Sequence, residues 1–232
     1  NARWRHPKIL GRTPPGGVRI RTSMKPAPSP APLPRRRRPR QSRAQHTSQA
    51  LQDAFVRLLV ERGYAAITIR EIVMVAGTGL GSFYEYFASK EDLARVSLHL
   101  RTKALLLALR GVAASHGGRP LAEIVEAVVD SQIEAHRDQP AEWGAHYLLE
   151  RHYSGAEAYR KMYERFVDAW AGAIEAAAGL PNGYPVRDAA RVSQTIMYGL
   201  FSHTYIGSDS PPDVQLLHQR ACTAIQAYLA AV

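Results

Sequence analysis

The chain has 232 residues, 46% of them hydrophobic, which is enough for one large domain or two small ones around a sizeable core. No apolar run approaches the roughly 18 residues that a membrane-spanning helix needs, so no membrane partner is expected. The single cysteine, Cys222, excludes an internal disulfide and, with no signal peptide visible, indicates a cytoplasmic protein.

The net charge of +10 comes from one end of the chain. Residues 1–46 hold 13 Lys and Arg, no Asp or Glu, and 9 of the 15 prolines. This composition predicts a disordered, basic, Pro/Arg-rich tail whose block Arg35–Arg40 can contact phosphates. The first methionine is Met24, so a start of translation there is an alternative to a chain that includes residues 1–23. The remaining residues carry a net charge of −3, so the folded part must bind any nucleic acid through a local surface.

Apolar residues recur at helical spacing from Thr47 onward, and Gly63 gives the first helix a stop signal. Thr68–Glu71 has the form of a capping box, which predicts a second helix over Ile69–Ala76. A short third helix is predicted over Leu80–Phe87. Longer helices are predicted at about residues 89–113, 120–137, 140–153, 156–178, 187–206 and 212–231. Because no convincing alternating strand pattern is present, the predicted fold class is all-α.

The segment AGTGLGSFYEYF, residues 76–87, is rich in glycine but does not fit a nucleotide-binding loop. Its glycines are spaced G-x-G-x-G and follow a helix, whereas a dinucleotide-binding loop has G-x-G-x-x-G after a strand. No G-K-[ST] ending is present. Two short helices joined by a tight glycine turn instead predict a helix-turn-helix.

The third helix has features suited to DNA. Its first turn contains the small residues Gly81 and Ser82, which let the backbone approach a groove closely. Tyr84 and Tyr86 can offer hydroxyls to phosphates or ring edges to thymine methyl groups. Phe83 and Phe87, by contrast, are expected to fill the core between the helices. For Tyr84 and Tyr86, simple packing is the alternative.

Residues 68–93, TIREIVMVAGTGLGSFYEYFASKEDL, resemble the DNA-binding signature of the TetR family of transcriptional regulators, and residues 50–72 resemble the upstream part of the same signature. The close resemblance covers about residues 47–95. It implies a homodimer with a three-helix DNA-binding domain at 47–92 and a helical ligand-binding and dimerisation domain at 93–232. It also implies a repressor that a small molecule releases from its operator, a double-stranded DNA site.

Carried over residue by residue, the resemblance implies base-edge contacts at the start of the third helix and phosphate contacts around it. Two positions depart from the family pattern, since Gly79 stands where Ser is common and Leu80 where a polar or basic residue is common. Base readout is therefore expected to depend on apolar contacts and DNA shape. The predicted DNA-binding residues are Thr68, Thr78, Gly79, Leu80, Gly81, Ser82, Tyr84, Tyr86 and Lys90.

Aromatic and polar side chains are concentrated in the middle helices, a composition typical of sites for small apolar or aromatic ligands. Core packing is the alternative for each of them. The predicted ligand-binding residues are Trp143, His146, Tyr147, Tyr163, Phe166, Trp170 and Phe201. His136, His146 and His152 do not share one helical face and have no cysteine or carboxylate pair beside them, so no metal site is predicted.

The helix over 187–206 is apolar on two faces, one containing Ile196 and Leu200 and the other Met197 and Phe201. We expect one face to meet its own domain and the other a second subunit, so that the last two helices of each chain form a four-helix bundle. An ordinary monomeric core is the alternative.

The sequence bears on three classes of function. An enzyme has no support, because no nucleophile with a base, metal set or phosphate loop is found, and no cofactor is predicted. A ligand-responsive TetR-like repressor fits the motifs best. The alternative is a dimeric all-helical interaction protein without specific DNA binding, which the weak base-reading set at Gly79 and Leu80 favours.

Overall fold

The computed structural model describes residues 42–153, 155–207 and 212–232. In these ranges the chain forms nine α-helices and one 3-10 turn, and no β-strand is present there, which confirms the predicted all-α fold. The helices are α1 (Ser42–Arg62), α2 (Ile69–Val75), α3 (Leu80–Tyr86), α4 (Lys90–Ser115), α5 (Leu121–Arg137), α6 (Pro140–Tyr153), α7 (Ala156–Glu175), α8 (Val186–Ile206) and α9 (Val214–Leu229), and the 3-10 turn is Tyr64–Ala66.

The first helix is longer than the sequence pattern predicts. It begins at Ser42 rather than near Thr47, so the last residues assigned to the basic tail are helical. The rest of the predicted tail, including Arg35–Arg40, lies outside the described residues. Within the described residues, no helix is long and apolar enough to cross a membrane.

Helices α1 to α3 surround a small core that also includes Leu93 and Ala94 of α4 and one residue of α6. Phe55 of α1 and Phe83 of α3 are fully buried in it, and Phe87 is buried just after α3, as predicted. Gly77 joins α2 to α3 with a φ of 64°, a left-handed conformation that side chains rarely adopt. Its neighbour Thr78 donates its backbone N–H to the carbonyl of Val73 at 2.9 Å, which closes the turn.

The larger core lies among α4 to α9, with Trp170 of α7 completely buried in it. Both predicted faces of α8 contribute to the larger core, since Ile196 and Leu200 pack against it while partly buried. Met197, Phe201 and Tyr205 are buried in the core, whereas Gly199 is exposed on the opposite face. Only part of the second face, at Gly199 and His203, is therefore on the surface of the subunit.

Helix α6 contributes side chains to both cores. Trp143 and Tyr147 belong to the larger core, while Leu149 is buried in the core of α1 to α3. Close to its start, the backbone of α6 also approaches α8 directly. A Cβ added at Gly144 would lie only 2.5 Å from the carbonyl oxygen of Tyr205. Glycine at this position therefore sets the distance between the two helices.

The first prediction concerns this close approach. We expect Gly144→Ala to destabilise the protein by about 1–3 kcal/mol, because the methyl group forces α6 and α8 apart. Chemical denaturation measured by circular dichroism provides the test. Gly172→Ala in α7 is the matched control, since a Cβ there meets nothing within 4 Å and alanine is the better helix former. Equal stability changes in the two variants would contradict the prediction.

Candidate nucleic-acid interface and ligand cavity

The predicted capping box is formed at the start of α2. The N–H of Glu71 donates to the hydroxyl of Thr68 at 3.3 Å, and the carboxylate of Glu71 accepts from the N–H of Thr68 at 2.9 Å. Arg62, at the end of α1, adds an ion pair to Glu71 at 2.6 Å. Thr68 is thus exposed at the N-terminus of α2, and the capping box and the ion pair to Arg62 both hold this end of the helix in place.

One face of α3 is open to solvent while the other is anchored in the core. Leu80 and Tyr84 have exposed fractions of 45% and 52%, while Phe83 between them is fully buried. Gly79 and Gly81 are exposed, and Ser82 and Tyr86 are partly buried. The exposed residues lie on one side because they recur at helical spacing, so α3 presents a continuous surface.

Two features of this surface were missed by the sequence analysis. Met74 of α2 has an exposed fraction of 73%, so a large apolar side chain lies on the outer face of the preceding helix. The hydroxyl oxygen of Thr78, predicted to face base edges, is instead buried and without a hydrogen-bond partner. The predicted contact of Thr78 with base edges stays a prediction, and its hydroxyl would have to become exposed to make it.

Lys90 has a structural role that the sequence did not reveal. Its ammonium group donates to the carbonyls of Tyr64 at 3.1 Å and Ile67 at 2.6 Å, and lies 4.1 Å from the centre of the Tyr64 ring. These contacts connect the start of α4 to the segment before α2. The predicted phosphate contact of Lys90 remains a prediction, and only one of the three ammonium N–H groups is left for it.

A cavity of about 50 Å³ lies in the larger core, between α4, α5, α6, α7 and α8. It is far smaller than the roughly 300–1,000 Å³ of a typical ligand site. Five predicted ligand residues line it: Trp143, His146, Tyr147, Phe166 and Phe201. Polar residues that the sequence analysis did not select also line it: Arg101, Gln132, Glu150, Gln194 and Tyr198.

The other two predicted ligand residues lie outside this cavity. Trp170 is completely buried against the larger core, so the alternative of core packing describes it. Tyr163 is directed toward α8, where its hydroxyl donates to the carbonyl of Arg191 at 3.0 Å. Both fall on the same helical face as Phe166, and helical spacing alone did not distinguish them.

The two buried histidines of the cavity wall have defined tautomers. Nδ1–H of His136 donates to the carbonyl of Gln132 at 2.6 Å, so Nε2 accepts from the hydroxyl of Tyr147 at 3.0 Å. Nδ1–H of His146 donates to the carbonyl of Glu142 at 2.7 Å, so Nε2 accepts from the hydroxyl of Ser97 at 2.7 Å. Burial lowers the pKa of both rings to about 4, so both are neutral near pH 7.

The two charged residues of the cavity wall differ in their surroundings. Arg101 forms an ion pair with Glu142 and lies 4.8 Å from the centre of the Trp143 ring. Glu150 has no ion-pair partner among the described residues and accepts one long hydrogen bond, 3.4 Å, from the hydroxyl of Tyr198. Burial raises the pKa of Glu150 to about 7. When Glu150 is ionised, its carboxylate therefore has no cationic partner among the side chains that line the cavity.

Comparison with known proteins agrees with this architecture. Residues 51–96 match the bacterial regulatory proteins of the tetR family. YerO of Bacillus subtilis, described as an uncharacterized HTH-type transcriptional regulator, is 30% identical over 83 residues, which are 36% of this chain and 29% of YerO. YxbF of the same organism, described likewise, is 26% identical over 145 residues, 55% of this chain and 38% of YxbF. The chain thus spans about a third of the length of these relatives.

Solved structures share the fold over most of the chain. SmeT, the repressor of the Stenotrophomonas maltophilia multidrug efflux pump SmeDEF, is 18% identical with a TM-score of 0.65, covering 80% of this chain and 91% of SmeT. A putative TetR-family regulator from Mesorhizobium loti is 14% identical with a TM-score of 0.61, and the match covers 82% of this chain and 98% of the Mesorhizobium loti chain.

The structure and these comparisons together define the class of this part of the chain. Helices α1 to α3 form a helix-turn-helix of the kind found in bacterial DNA-binding regulators. Residues 51–96 match the tetR family of bacterial regulatory proteins, and the described fold resembles solved structures that include a putative TetR-family regulator. The resemblance stated from the sequence is confirmed.

The second prediction follows from the environment of Glu150. Its pKa is about 7 in the folded protein against an ordinary 4.5, so the folded state loses stability as pH rises from about 4.5 to 7. Glu150→Gln carries no such charge. We expect the variant to be more stable than the wild type by roughly 2–3 kcal/mol at pH 8, and by much less at pH 5.

Denaturant unfolding at both pH values and one protein concentration measures this difference. Glu175→Gln is the control, because Glu175 is exposed at the end of α7 and should show no comparable pH-dependent gain. A constant difference between Glu150→Gln and the wild type across pH 5–8 would contradict the prediction.

Proposed function

We propose that the protein is a ligand-responsive transcriptional regulator of the TetR type, a cytoplasmic repressor that a small molecule releases from its operator DNA. The observation that supports this most is the exposed face of α3, held by the buried Phe83 and preceded by the left-handed turn at Gly77. SmeT, which shares the fold, is a repressor, and this agrees with the proposal. The pump genes that SmeT regulates are not proposed as targets of this protein.

In the proposed complex, α3 enters the major groove with Leu80 and Gly81 against base edges. Tyr84 and the exposed capping residue Thr68 contact phosphates on either side. Gly79 and Ser82 keep the backbone close to the DNA, and Tyr86 supports the helix from its partly buried position. Readout by apolar contacts and DNA shape is expected, because few hydrogen-bonding side chains lie on this face.

A homodimer would form through α8 and α9. Gly199 and His203 of α8 are exposed, and Leu216 of α9 has an exposed fraction of 38%. The small Gly199 and the apolar Leu216 suit close packing against the same face of a second copy. Such a dimer would place two α3 helices for two half-sites of an operator.

Ligand binding would act on DNA through α4 and α6. A ligand of ordinary size exceeds the volume of about 50 Å³, so its entry requires the cavity walls to move. Helix α6 lines the cavity with Tyr147 and packs Leu149 in the core of α1 to α3. Movement of α6 would therefore reposition α3, which is a coupling between two distinct sites.

The alternative is a dimeric helical interaction protein without specific DNA binding. Exposed apolar side chains at Met74 and Leu80 and the buried hydroxyl of Thr78 favour it, because they reduce the polar groups available to base edges. The two functions differ in whether native DNA is preferred over scrambled DNA.

The third prediction separates these two functions. We expect saturable binding to the DNA that flanks the gene, tighter than to scrambled DNA, to survive removal of residues 1–40. This truncation removes Arg35–Arg40 and leaves α1 intact from Ser42. Fluorescence anisotropy over a salt series provides the measurement. If binding disappears with the tail or ignores sequence, the interaction protein is the better description.

The fourth prediction concerns Tyr84. Tyr84→Phe removes only an exposed hydroxyl, so we expect operator affinity to fall about five- to tenfold, as for the loss of ~1–1.4 kcal/mol in one phosphate contact, with little change in stability. Tyr163→Phe removes a tyrosine hydroxyl on α7 and is the control, which should leave operator affinity unchanged. Unaltered affinity in Tyr84→Phe would remove Tyr84 from the interface.

A further inference from the structure

The cavity in the larger core has a net negative charge when Glu150 is ionised. The positive charge of Arg101 is already balanced by its ion pair with Glu142, on the side of the cavity formed by α4 and the start of α6. Glu150 lies near the end of α6 and has only the hydroxyl of Tyr198 as a hydrogen-bond partner. A partly buried carboxylate without a cation is costly, and a bound positive charge offsets that cost.

Aromatic rings surround this carboxylate. Tyr147 and Tyr198 both line the cavity, and their ring centres are 5.9 Å apart at an interplanar angle of 79°. Tyr159 of α7 continues the group, 6.1 Å from Tyr198. Phe166 and Phe201 line the same space. Electron-rich ring faces attract organic cations, most strongly where water is excluded.

The titratable groups around Glu150 do not supply a competing positive charge inside the cavity. The hydroxyls of Tyr147 on α6, Tyr159 on α7 and Tyr198 on α8 have raised pKa values because they are buried, so all three are neutral near pH 7. His136 on α5 is also neutral, because burial lowers its pKa to about 4. Arg151 lowers the pKa of Glu150, but it is exposed on the outer side of α6.

We propose that the cavity binds an organic cation, a ligand with a protonated or quaternary nitrogen on an aromatic or aliphatic body, with the nitrogen against Glu150 and the rings of Tyr147 and Tyr198. The inference rests on the proposed function for its regulatory meaning, since it names the chemical class of the ligand that releases the DNA. The cation replaces the counter-charge that Glu150 lacks, and the apolar body occupies the space beside Phe166 and Phe201 as the walls move apart.

The test uses a matched pair of probes on the full chain at pH 8: phenyltrimethylammonium, a quaternary cation, and tert-butylbenzene, its neutral isostere. Binding is measured by the shift in unfolding temperature over a range of probe concentrations. We expect the cation to bind at least tenfold tighter than the isostere. Glu150→Gln, which keeps the shape of the side chain, should abolish that preference, and the exposed control Glu175→Gln should retain it.

Equal binding of the two probes by the wild type, tighter binding of the isostere, no binding of either probe, or an unchanged preference in Glu150→Gln would each overturn the cation site. A parallel anisotropy measurement on operator DNA tests the regulatory function separately. If the cation binds through Glu150 but leaves DNA affinity unchanged, the site holds and the release mechanism fails. If a different, neutral compound releases the DNA while the cation does not bind, the repressor function holds and the ligand class is wrong.

Discussion

The structure depends on one packing constraint: helix α6 is shared between two hydrophobic cores. Trp143 and Tyr147 are buried with α5, α7 and α8, and Leu149, only two residues beyond Tyr147, is buried with α1 and α3. Since interiors pack closely, neither core can shift its part of α6 without displacing the other. Helices α1 to α3 are thus attached to the rest of the chain by buried contacts as well as by the continuous helix α4.

Buried hydrogen bonds tie α6 to its neighbours at defined positions. Neutral His146 connects it to Ser97 of α4, and the hydroxyl of Tyr147 connects it to His136 of α5. Each bond uses a specific tautomer, and each leaves a polar group unsatisfied if the helices separate, which costs more than the bond itself contributes. Two stable arrangements of α6, rather than a gradual drift, are the expected response to a ligand in the cavity.

The features that were predictable from sequence are those that depend on local spacing. The capping box at Thr68 and the buried Phe83 and Phe87 follow from patterns within one helix. Lys90 on the carbonyls of Tyr64 and Ile67, and Glu150 at the cavity, depend on partners far away in the sequence, which spacing does not reveal. The early start of α1 at Ser42 was missed because the charged and polar residues before Thr47 lack an apolar face.

The contact between Gly144 and the carbonyl of Tyr205 limits how the cavity of the larger core can change in volume. Side chains can be trimmed to enlarge a cavity, but two helices already at backbone contact cannot exchange volume between them. Any change in the volume of the cavity, whether in evolution or in engineering, must therefore come from the side chains that line it on α4, α5, α6, α7 and α8. At the junction of α6 and α8, the distance between the two helices is fixed by the lack of a side chain at Gly144.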